Sequence, residues 1–155
     1  MSHTEELLKV LEDTTRFLQE LSIVEEEKFQ AAMKNHILTL EECIKKEQAF
    51  VLRSKGLDLK RTSIQKAMGA ETLTLKQIIE TVDGEDKASL QAAFTELQKT
   101  LTDYQEIYHR AKTAIEVNLY RVNKQLEQMT GATPSYSEQG IRKQPAPGSF
   151  TSRRI

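Results

Sequence analysis

Between Leu90 and Met129 the chain carries an apolar ladder that few folds can accommodate. Its apolar and near-apolar positions are Leu90, Phe94, Leu97, Leu101, Tyr104, Tyr108, Ala111, Ile115, Asn118, Val122, Leu126 and Met129. The steps alternate between four and three almost throughout, which is the seam of a helix lying lengthwise on other helices. Neither proline nor glycine interrupts the run. Asp86 before it and Gly131 after it supply start and stop chemistry. A helix from Lys87 to Met129 would be about 64 Å long at 1.5 Å per residue. That exceeds what a small compact domain can cover, so part of it must reach beyond its neighbours.

The composition agrees with long amphipathic helices. Apolar residues make up 38% and charged residues 29%, with no tryptophan and three prolines among 155 residues. Such a profile disfavours β-sandwich and glycine-rich α/β folds. A formal net charge of −1 gives nucleic-acid binding no electrostatic support. The single cysteine, Cys43, excludes an internal disulfide and suits a reducing compartment. The opening residues have no basic, apolar pattern of a signal peptide. No apolar run is long enough for membrane insertion. The expectation is a cytoplasmic, all-α protein.

Ahead of the ladder, Leu7, Leu8, Leu11, Thr15, Leu18, Leu21, Val24, Phe29 and Ala32 predict a first helix over 4–34, with Glu25, Glu26 and Glu27 on its outer face. Thr39 with Glu42 reads as a capping box opening a second helix that runs to about Met68. That helix has the seam Leu40, Cys43, Glu47, Phe50, Ser54, Leu57, Arg61, Ile64, Met68. Glu47, Ser54 and Arg61 either form a buried polar row that sets register, or reach solvent through a slight rotation, which long charged side chains favour. Gly56 mid-helix suggests a bend or a close approach. Gly69 ends the helix, and Thr74 with Gln77 forms a second capping box, stapled by Leu73 and Ile78, for a short helix over 75–82. The segment 83–86 turns into the long helix.

The predicted architecture is therefore an antiparallel up-and-down bundle of three long helices plus one short helix, with coiled-coil-like packing. It occupies residues 1–131, and a flexible tail occupies 132–155. That tail holds all three prolines, and four basic residues against one acid, Glu138. It has too little apolar surface to order itself.

Catalytic and metal constellations are weak. Glu106 and His109 make one E-x-x-H, where a di-iron bundle needs two such motifs plus two further carboxylates. Both fall off the seam, so an exposed pair is expected. Cys43 lies on a seam and reads as a small buried hydrophobe. There is no phosphate loop and no zinc spacing. Neither enzymatic activity nor a cofactor is expected.

The first two helices would span about 45 Å each, so the long helix overhangs them at its C-terminal end. Leu119, Val122, Leu126 and Met129 would then be open to another chain.

The layout resembles the FlgN family of flagellar type III export chaperones. The resemblance is carried by the Leu7-Leu8 pair, the run Leu57-Asp58-Leu59-Lys60-Arg61 followed by Ile64 and Gly69, and the short element over 72–79. The final helix closing on Asn118-Leu119-Tyr120-Arg121-Val122-Asn123 also matches, as does a tail with Tyr136 and Gly140. The resemblance implies a chaperone for the hook-associated proteins of the hook–filament junction. Their terminal helical segments would bind Ile115, Asn118, Leu119, Val122, Leu126 and Met129. Tyr136 would engage the cytoplasmic domain of the export gate. The competing reading is a structural or adaptor coiled coil that self-associates as a homodimer through the long helix.

Overall fold

The computed structural model describes residues 2–130, which form four helices: α1 (His3–Met33), α2 (Ile37–Ala67), α3 (Leu75–Glu80) and α4 (Gly84–Thr130). Three are long and one is short, and no strand occurs among the described residues. The expected tail over 132–155 lies outside them.

Local chemistry sets the helix ends. Ser2 accepts from the Glu5 N–H while Glu5 accepts from the Ser2 N–H, a capping box that starts α1. The same reciprocal pair forms between Thr74 and Gln77 at α3, as the sequence predicts. After α2, Gly69 takes a left-handed φ of 70°. The Ala70 N–H then reaches the Gln65 carbonyl at 2.8 Å and the Gly69 N–H reaches Lys66 at 3.0 Å, a Schellman closure. Asn35 does the same work for α1 at φ 57°, with the His36 N–H on the Ala31 carbonyl at 2.9 Å.

That tight turn overturns the capping box expected at Thr39. It reverses the chain in so few residues that α2 restarts at Ile37, with His36 at its N-cap making no side-chain bond. Similarly, α4 starts at Gly84, with Asp86 in its first turn rather than at its cap. The carboxylate still complements the helix N-terminus there.

α1 is the central element. It packs along both α2 and α4, which touch each other little. Its neighbours run in opposite senses. Glu20 meets Arg53 and Lys28 meets Glu47, so α1 and α2 are antiparallel. Glu26 meets Arg110 and Ala32 meets Asn118, so α1 and α4 run side by side in the same direction. The core joins Leu7, Leu11, Phe17, Leu18 and Leu21 of α1 to Leu90, Phe94, Leu97, Leu101 and Tyr104 of α4, with Leu75, Ile78 and Ile79 of α3 closing one end. Each such side chain contributes about 1.5–3 kcal/mol when fully buried. Thr14 and Thr15 fit the α1 interior because their hydroxyls donate to the Val10 and Leu11 carbonyls.

The α1–α2 interface is different. Glu47, Ser54 and Arg61 are all buried, so the polar row is internal and the expected rotation toward solvent does not occur. Glu25, expected on the outer acidic face, is fully buried too. Lys28 explains both acids: its Nζ lies 2.9 Å from Glu25 Oε2 and 2.8 Å from Glu47 Oε2. Arg61 pairs with Asp58 at 2.7 Å, and Ser54 donates to the Val51 carbonyl. Gln65, also buried, donates to the Ala70 and Leu73 carbonyls and pins the α2–α3 connection. Gly56 meets no close neighbour, so of the bend or close approach expected there the close approach does not occur.

Candidate functional site

Because α1 and α4 start at the same end and run the same way, their lengths decide what is left over. α1 has 31 residues and α4 has 47. Near the end of α1 the Asn118 amide donates to the Ala32 carbonyl at 3.4 Å. Beyond it α4 continues for about another 18 Å at 1.5 Å per residue, past the end of α1.

The sequence-predicted site residues divide along this helix. Ile115 is buried at 5% exposure and belongs to the core. Asn118, Leu119, Val122 and Leu126 are half-buried, which is more shelter than a bare overhang provides. Met129 is 82% exposed. Tyr136 lies outside the described residues.

At the root of the overhang an open groove of about 500 Å³ lies between α1 and α4. Phe29 and Met33 of α1 face Thr113, Ala114 and Val117 of α4 across it, with Arg110 and Arg121 also lining it. Arg110 stacks on the Phe29 ring at 5.3 Å and sits 3.5 Å from Glu26, which orients one edge. Around this end Met33, Ile37, Leu38, Val117 and Tyr120 are all exposed. Sequence periodicity missed these five, since none lies on a predicted seam. The signal available was the apolar cluster around the Asn35 turn, where a solvent-facing loop would be polar.

Behind the groove lies the Glu25–Lys28–Glu47 cluster, with Lys28 also 5.6 Å over the Tyr108 ring. Burial first, and the facing Glu47 carboxyl second, push the Glu25 pKa up to about 8. Glu25 therefore keeps its proton at neutral pH, which lowers the charge that Lys28 must balance. Paired carboxyls can serve acid–base chemistry. These are sealed between two helices, and Glu25 has no exposed surface for a substrate to approach. Their role is structural. Burial also raises the Tyr108 hydroxyl and the Cys43 thiol, so Cys43 stays a protonated, inert hydrophobe. Glu106 and His109 are exposed, as expected. Among the described residues no cluster of histidine, cysteine and carboxylates could hold a metal ion, and no helix is long and apolar enough to cross a membrane.

The bundle's longest helix thus outruns α1, with an apolar groove between the two at the root of the overhang. The chain matches the family model described as FlgN protein over residues 1–143 and belongs to that family, the flagellar export chaperones. No curated protein and no solved structure matches it.

Proposed function

We propose that this chaperone acts in the cytoplasm on the hook-associated proteins of the hook–filament junction and hands them to the flagellar export gate. A client's terminal helical segment would lie against the C-terminal part of α4. It would contact Asn118, Leu119, Val122, Leu126 and Met129, and seat apolar side chains in the groove between Phe29 and Val117. Ile115 supports this surface from within the core. Tyr136 would engage the cytoplasmic domain of the export gate.

The observation that carries this reading is the length mismatch between two helices that start together, which leaves apolar residues of α4 beyond Ala32. The half-buried state of Leu119, Val122 and Leu126 fits a site of moderate affinity, because part of their surface is already withdrawn from water. Moderate affinity suits a carrier that must release its cargo.

Val122→Asp combined with Leu126→Asp should abolish binding of a purified hook-associated protein in titration calorimetry, while helicity and melting stay close to the parent. Unfolding of this variant would mean that the segment is core and the reading wrong. Tyr136→Ala should leave client binding intact and impair export. The competing use of α4, self-association into a homodimer, predicts instead that light scattering shows a dimer that the same double substitution dissociates.

A further inference from the structure

α2 carries a second seam on the side away from α1. Its buried line runs through Cys43, Glu47, Ser54 and Arg61. About half a turn around the helix, Lys45, Ala49, Leu52, Gly56, Leu59 and Ser63 follow one another in the same four-and-three steps, and all are exposed. Leu52 and Leu59 are each 70% exposed. Leucine thus alternates with small residues, Ala49, Gly56 and Ser63, at every seventh position. Around Gly56 nothing lies within 4 Å of where a Cβ would stand. This is a row of knobs separated by holes, the relief a second helix needs for close packing.

Charge selects the occupant. Between Lys45 and Lys66 the only acids are Glu47 and Asp58, and both are engaged by cations of the bundle itself, Lys28 and Arg61. Lys46 and Arg53 flank the seam on one side and are tied to Glu27 and Glu20 of α1. Lys45, Lys55, Lys60 and Lys66 are exposed and form no ion pair among the described residues. A second copy of α2 fits poorly. An antiparallel pair sets Arg53 against Arg53 and Lys46 against Lys60, and a parallel pair sets Lys55 against Lys60. An anionic membrane would use a broad apolar face, not a narrow line broken by glycine and serine.

We propose that the outward face of α2 is a docking seam for an acidic amphipathic helix of another protein. The partner's large apolar side chains fill the holes at Ala49, Gly56 and Ser63, and its flanking carboxylates meet Lys45, Lys55, Lys60 and Lys66. This surface is separate from the α4 overhang, so both can be occupied at once.

The probe is a designed peptide of roughly four heptads with leucine on its seam and glutamate on its flanks, followed by fluorescence anisotropy against the full chain. Saturable binding is expected, weakening several-fold when salt is raised from about 50 to 300 mM. Leu52→Gln with Leu59→Gln should weaken it at least tenfold, as should Lys45→Glu with Lys60→Glu. Helicity and denaturation midpoint should hardly move, because all four side chains are exposed. Absence of saturable binding, or equal binding of the same peptide with lysine flanks, overturns the proposal. So does a result in which phosphatidylglycerol vesicles bind and the peptide does not, or in which sedimentation reveals a dimer that the leucine substitutions dissociate.

Discussion

The two sides of α1 solve the same packing problem with opposite materials. Toward α4 it presents leucine and phenylalanine to leucine, phenylalanine and tyrosine, and the seam is stabilised by volume. Toward α2 it presents Glu25 and Lys28 to Glu47, while Ser54 and Arg61 continue the polar line. A dry seam tolerates no voids but is indifferent to pH. A buried polar seam tolerates little change of charge, and the cost of withdrawing its charges from water offsets much of what their attraction provides. α4 is thus held by burial, whereas α2 adds a buried charge balance to its apolar contacts, among them Phe50 against Phe17 and Ile64 in the core. α2 is therefore the helix whose attachment conditions can modulate.

The largest test of this contrast removes the shared cation. Lys28→Met leaves two carboxyls facing each other without balance and should cost about 3–5 kcal/mol in urea unfolding at pH 7. The loss should shrink as pH falls, because acid neutralises uncompensated carboxylate charge. Replacing all three residues together (Glu25→Leu, Lys28→Met and Glu47→Leu) should be neutral or stabilising. A large loss in the triple variant would mean that the seam depends on its ions for more than balance. On the dry side, Leu97→Ala should cost about 2–5 kcal/mol through lost burial and cavity formation, with no pH dependence.

Smaller and more specific is the pH profile. Folded Glu25 holds its proton up to about 8, whereas the unfolded chain releases it near 4.5. Between those values the unfolded state binds fewer protons, so stability falls as pH rises, by up to about 1.4 kcal/mol per pH unit. Glu25→Gln should flatten that slope in denaturation measured at pH 5 and pH 8. Smallest is Gly56→Ala on the outer side of α2. With open space at the Cβ position, it should stabilise by about 0.5–1 kcal/mol, read as a raised denaturation midpoint.

Much of the α4 side was legible in the sequence because apolar periodicity encodes it directly. Leu90 through Ala111 lie on the predicted seam, and six of its seven members are buried while Tyr108 is half-buried. The overhang was legible too, as a comparison of helix lengths. The α2 side was not, since a charged residue on a seam position usually escapes to solvent. Only the pairing of Lys28 with both acids, nineteen positions apart for Glu47, removes that option. Periodicity also cannot say that α1 rather than α4 is the shared partner. That follows from Asn35 and Gly69 turning the chain so that α2 and α4 flank α1. At the candidate site, Ile115 and Met129 sit on one predicted line but differ completely in exposure, because α1 stops between them.

The parallel alignment of α1 with α4 also constrains how the molecule comes into being. Cross-contacts between them join residues 84 and 86 positions apart. During synthesis α1 leaves the ribosome first, with its dry stripe bare. The α1–α2 hairpin can close early, but it covers only the side of α1 that faces α2. The stripe stays open until the matching part of α4 has been made, and closing so long a loop is slow relative to hairpin formation. The nascent chain therefore carries, for most of its translation, the kind of unprotected apolar surface that invites aggregation.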